Sequence, residues 1–255
     1  MKKLEKKNKG GLWNATFGEL IATFQILEKN GFTLEMLKQL REKGGEEKAK
    51  KMIAVLKNAT GNQTRNSVIE KELLEWQEFY AKYFHLDLPD DFSKIKIPTP
   101  SIGFNRLLII IPGVSLSDII YIQNHWFRTR ITGDIYESIS RNDRDVTNGP
   151  YAIWVRDTVG PDAQYLNRSA MWTNAQLIMG ETLLERLVHG FKFWHETQKH
   201  LDVLDINGVT LCTGSRFFDG SIPRVHFGSD GAVNISQHNP DQAFMDFGLR
   251  EVISC

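Results

Sequence analysis

The chain has 255 residues, 31 Lys+Arg against 31 Asp+Glu, and 41% hydrophobic residues. That is enough apolar content for a buried core, and it excludes disordered, collagen-like and disulfide-scaffold classes. The zero net charge is a sum of unlike parts: residues 1–98 hold 18 Lys+Arg against 14 Asp+Glu (+4), and residues 99–255 hold 13 against 17 (−4).

The first part reads as helices. Asn14 caps a helix over 16–28 with Phe17, Leu20, Ile21, Phe24 and Leu27 at the 3.6-residue period, ended by Asn30-Gly31. Thr33 caps a second over 33–43, with Leu34, Leu37 and Leu40 on one face. A third starts at Glu46-Glu47 and carries Met52, Ile53 and Leu56; a fourth runs from Ser67 to Phe84 with Ile69, Leu73, Trp76 and Tyr80 aligned. Short loops between them predict an antiparallel bundle over 1–86. Pro89, Pro98 and Pro100 bar a continuous helix, so 87–101 is expected to be a linker.

The second part alternates. Arg106–Ile111 is a continuous apolar run, hence a buried strand. Ser115 and Asp118 form a capping pair before Ile119, Ile120 and Ile122. Tyr151–Val155 is a second strand, Glu181–Leu201 an amphipathic helix and Val209–Cys212 a third strand. Thr213–Gly220 reads as a loop. Val225–Phe227 and Ala232–Ile235 flank Gly228-Ser-Asp-Gly231 as a hairpin, and Asn239-Pro240 opens a short helix. The expected fold is α+β (or α/β): an N-terminal helical bundle, then a mixed sheet domain with packed helices over 102–255.

The cation type changes at the same boundary. Beyond Lys96 the only lysines are Lys192 and Lys199; the rest of the positive charge is arginine, the residue suited to bidentate and interfacial contacts. The cysteines, Cys212 and Cys255, make neither a disulfide framework nor a metal box, which points to a reducing, cytoplasmic setting. The basic start is not followed directly by an apolar stretch, so no secretory signal is expected. The longest apolar run is far below the roughly 20 residues that span a bilayer, so no membrane partner is expected either.

Candidate chemistry centres on Asn142-Asp-Arg-Asp-Val-Thr-Asn-Gly-Pro-Tyr-Ala-Ile-Trp-Val-Arg-Asp-Thr158, where a polar turn empties into a strand that ends in Arg156 and Asp157. Asp143, Asp145 and Asp157, with His195 or His226, are carboxylates and imidazoles able to bind a divalent cation or exchange protons. A salt-bridged turn accounts for the same residues. Glu185/His189 and Glu196/His200 are each four apart, yet no His-Glu-x-x-His occurs, and no particular metal is implied. Arg216, in Thr213-Gly-Ser-Arg216, is placed to pair with a phosphate, but the Walker and dinucleotide glycine patterns are absent, so no cofactor is named. Arg156, Arg216 and Trp126-Phe-Arg128 bring arginine beside aromatics, the residue types that anchor interfaces.

Phe104-Asn-Arg-Leu-Leu-Ile-Ile110, Asn142-Asp-Arg-Asp145 through Trp154-Val-Arg-Asp157, Glu181-Thr-Leu-Leu-Glu-Arg-Leu187, His200-Leu-Asp202 and Leu211-Cys-Thr-Gly-Ser-Arg216 resemble a family that recurs in candidate-phylum (Patescibacteria-type) bacteria and metagenomic sequence. The resemblance covers roughly residues 100–254 and, more loosely, the helical start. It brings no activity. It implies a bacterial, cytosolic protein, with an origin in mobile or prophage-like DNA.

Two function classes follow. One is a binding or interaction protein without turnover, with a protein partner; its Lys-rich N-terminal bundle would also suit nucleic acid. The alternative is a metal-dependent hydrolase or nuclease using the strand-end carboxylates and a histidine.

Overall fold

The computed structural model describes residues 23–25, 27–28, 32–39, 41–42, 44–51, 62–86, 95–206 and 208–255. They form two compact units, Met1–Ile69 and Glu70–Cys255.

In the first unit, α1 (Leu34–Gln39) starts at Thr33, whose hydroxyl accepts from the Met36 amide at 3.3 Å, the expected cap. Phe24, Glu28, Phe32, Leu34 and Leu37 line a cleft there. Asn14, Met52, Ile53 and Leu56 lie outside the described residues.

The second unit is α+β. In chain order it contains the end of α2 (Asn62–Phe84), β1 (Arg106–Ile110), α3 (Leu116–Gln123), β2 (Arg128–Ile131), β3 (Ile139–Asn142) and β4 (Tyr151–Val155). There follow α4 (Ala170–Ala175), α5 (Leu183–Thr197), β5 (Val209–Leu211), β6 (Ser215–Phe217), β7 (Ile222–Phe227), β8 (Ala232–His238) and β9 (Phe247–Gly248). A five-stranded mixed sheet has the order β2-β8-β7-β5-β9, with β2 and β9 parallel to their neighbours. β1 pairs antiparallel with β4, and β3 with β6.

The apolar runs explain the core. β1 buries Leu107 to Ile110 and β4 buries Ala152 to Val155, as continuous apolar strands should. α5 packs on α3, β1 and β7 through Leu187, Val188 and Phe191. The sequence grouped the fourth helix with the bundle. Its aromatic face instead belongs to this core: Trp76, Phe79 and Tyr80 are buried, and the Trp76 indole and Tyr80 hydroxyl donate to the Leu107 and Ile109 carbonyls. An apolar helical stripe shows which face is buried, not what covers it. The linker reading also changes after Lys94, because Ile95 is buried and the Pro98 carbonyl accepts from the Trp154 indole at 2.9 Å.

The predicted Ser115 cap forms as a box, and α5 has another that the sequence reading did not name. The Ser115 hydroxyl accepts from the Asp118 amide while the Asp118 carboxylate accepts from the Ser115 amide; Thr182 and Glu185 do the same at α5. Thr213–Gly220 contains strand β6 rather than a plain loop, and Asn239-Pro240 forms a turn, with no helix after it. None of the helices, over the described residues, is long and apolar enough to cross a membrane.

Candidate functional site

The segment that stands out in the sequence lines two adjoining clefts. The first, about 390 Å³, has Lys96, Asp143, Arg144, Asp145, Tyr151 and Cys255 among its walls. The second, about 510 Å³, is lined by Arg141, Asp143, Asn174, Leu177, Ile178, Met179 and Arg216. Asp143 is common to both.

This geometry is built outward from the start of α5. Gly214 donates its amide to the Glu181 carbonyl, and Asp143 donates its amide to the Gly214 carbonyl at 2.8 Å. A Cβ on Gly214 would lie 2.7 Å from the Gly180 carbonyl oxygen and 2.9 Å from the Thr182 nitrogen, so only glycine fits. The Ser215 hydroxyl accepts from the Leu183 amide at 2.9 Å and donates to Asn142 Oδ1 at 2.6 Å. The β3–β6 ribbon is thereby fixed to the helix, and its register sets Arg141 directly opposite Arg216.

Arg144 is the inner wall. Its guanidinium grips Glu185 with two bonds of 2.8 Å and donates to the Gly180 carbonyl at 2.6 Å. Glu185 also accepts from the Tyr151 hydroxyl at 2.9 Å. Burial works against the Arg144 charge, but Glu185 outweighs it and the pKa is raised; burial, then Glu185, push the Tyr151 hydroxyl up as well.

The outer rim is held by α4. Ile178 donates its amide to the Thr173 carbonyl and Leu177 to that of Asn174, which is a Schellman ending. The left-handed position in that motif usually holds glycine; here it holds Leu177, at φ 57°. Leu177 is also 89% exposed.

Behind this wall lies a buried charge network that the sequence did not disclose. Asp202 is fully buried between Arg186 (2.6 Å) and Arg250 (2.6 Å), with a further bond from the Thr210 hydroxyl. Burial would raise the Asp202 carboxyl, but the two guanidiniums outweigh it and hold it below its ordinary value. His189 shares a 2.7 Å hydrogen bond with Glu181, both fully buried. Burial raises the Glu181 carboxyl to about 7 and, with Arg250 next, holds His189 well below its ordinary value. The one signal in the sequence was the change from lysine to arginine, since buried pairs favour the planar guanidinium.

The remaining predicted residues scatter. Arg156 and Asp157 point apart, as strand alternation requires. Arg156 bonds Asp162 and Glu251 and lies 4.0 Å from the Phe104 ring centroid. Asp157 accepts from Arg106 at 2.7 Å. Asp143 accepts from Arg141 at 2.8 Å, and Asp145 accepts from the Thr147 amide, the salt-bridged turn that was the other reading of these residues. His195, on α5, hydrogen-bonds the Tyr83 hydroxyl at 2.8 Å. His226, on β7, lines a separate cavity of about 20 Å³ with His200 and Arg186. Trp126 is exposed beside Trp194, and Arg128 is exposed on β2. Of the predicted set, Asp143, Asp145 and Arg216 therefore line the clefts, and the others do not. Among the described residues, no three His, Cys, Asp or Glu side chains are arranged to hold a metal ion. Comparison of the chain with protein-family models, with curated proteins and with solved structures returns no match.

Proposed function

We propose that this chain is a binding protein without turnover, and that the cleft bounded by Leu177 and Arg216 is its binding face. One observation carries this reading: Leu177 holds a left-handed backbone position that favours glycine while its side chain stands 89% exposed. A leucine there costs about 1–2 kcal/mol in backbone energy. With so little of the side chain buried, internal packing does not offset that cost. A contact with something outside the chain would. Strain of this kind clusters at ligand clamps and recognition surfaces.

The charges around the cleft agree with binding rather than turnover. Asp143 and Asp145 are engaged through one oxygen each, by Arg141 and by a backbone amide, and Arg144 is bidentate on Glu185. None of the predicted histidines lines these clefts to share a metal or a proton with the carboxylates. The reading is tested by affinity capture from bacterial extract with the full chain and with Leu177→Gly. The expected result is one partner, in a fixed ratio, with the wild type and not with the variant; equal capture by both overturns the assignment of this face.

A further inference from the structure

We infer that the cleft takes an acidic segment of a partner protein, with a carboxylate seated at Arg141 and Arg216 and an aliphatic side chain beside it on Leu177 and Met179. The inference rests on the reading of this cleft as a binding face and adds the chemistry of what fills it.

The first ground is the arginine pair. Arg141 and Arg216 are direct partners across β3 and β6, so their side chains leave the ribbon on the same face. Like charges set opposite each other on a sheet are unfavourable. Arg141 is balanced by Asp143 at 2.8 Å. Arg216 is not balanced in the same way: its guanidinium donates to the Thr213 and Ser215 carbonyls, both at 2.9 Å, and no carboxylate among the described residues forms an ion pair with it. Partial burial lowers the Arg216 pKa; the Asp143 carboxylate works against this, and Arg141 adds a smaller push in the same direction as burial. Asp143 is shared with Arg141, so a carboxylate from outside would give Arg216 an ion pair of its own and offset its burial, and a guanidinium fork matches it in geometry.

The second ground is the rim. Leu177, Ile178 and Met179 form one apolar wall of the same cleft, with the Asn174 amide among them. A small inorganic anion would use the arginines and leave Leu177 without a role. A nucleic-acid strand would meet Asp143 and then Asp145 as it crossed into the adjoining cleft, where its phosphates would be repelled. An acidic side chain followed by an aliphatic one uses both walls and needs no further cation.

The test is fluorescence anisotropy with a labelled peptide of alternating glutamate and leucine, and with two controls in which glutamine replaces glutamate or serine replaces leucine. The full chain is compared with Arg216→Gln, Arg216→Lys and Leu177→Gly, each first checked for an unchanged fold by circular dichroism. The expected result is saturable binding of the Glu-Leu peptide, weakened about tenfold or more by either control. Arg216→Gln should lower the affinity for the glutamate peptide and scarcely alter that for the glutamine control, with Arg216→Lys in between. No binding of the Glu-Leu peptide up to about 1 mM, or equal binding of the glutamine control, overturns the inference. The proposed function fails separately, when Leu177→Gly captures the same partner as the wild type.

Discussion

Among the six described non-glycine residues with positive φ, Leu177 is the one with an aliphatic side chain. The rest of α4 is ordinary: Ser169 caps the start by accepting from the Trp172 amide, and the two Schellman bonds close the end. Glycine in place of leucine should therefore relax the turn. Its gain is reduced by the greater freedom of glycine in the unfolded chain, so Leu177→Gly is expected to add about 0.5–1 kcal/mol to the unfolding free energy in urea. Asp202 is the opposite case, since it is held by everything around it. Asp202→Asn would leave Arg186 and Arg250 facing each other, fully buried, without their anion. A loss of about 3–5 kcal/mol in the same urea measurement is expected.

At the scale of elements, the box at α3, the amphipathic stripe of α5 and the continuous apolar strands β1 and β4 were legible because each signal is local. Ser115→Ala removes the hydroxyl that accepts from the Asp118 amide and should cost about 1 kcal/mol by thermal unfolding. β2, β3 and β6 were not legible. β3 reads Ile-Ser-Arg-Asn and is mostly exposed, while β6 is only Ser-Arg-Phe; neither is long enough to display a period of two. They exist because Gly214 and Ser215 tie the ribbon to α5, contacts that join positions far apart in sequence. The Asp143–Thr147 turn was legible for the same reason as the caps, whereas the pairing of Arg141 with Arg216 depended on the ribbon and was not.

At the scale of the whole molecule, stability against pH reports the buried pair. Glu181, raised from 4.5 to about 7, stabilises the fold below pH 4.5, and this contribution is lost as pH rises to about 7. His189 is depressed from 6.5, so its contribution is present above pH 6.5 and is lost as pH falls. Between pH 4.5 and 6.5 the two slopes oppose. Glu181→Gln removes one of them and should make stability fall more steeply on acidification, by up to about 1.4 kcal/mol per pH unit relative to wild type. Urea unfolding at a series of pH values checks this, and parallel curves for the two proteins would remove Glu181 from the balance. The sequence marked the Asn142–Thr158 segment as the place to look, and two clefts do adjoin it. It could not show that Asp157 and the histidines lie elsewhere, because strand parity and helix packing decide that and both are long-range.

The most direct test of the binding face sets two quantities side by side for wild type and Leu177→Gly: the unfolding free energy in urea, and partner capture from the same extract. A face strained for binding predicts that the variant is more stable and captures nothing. A variant that is less stable than wild type, or that captures the partner equally well, would contradict it.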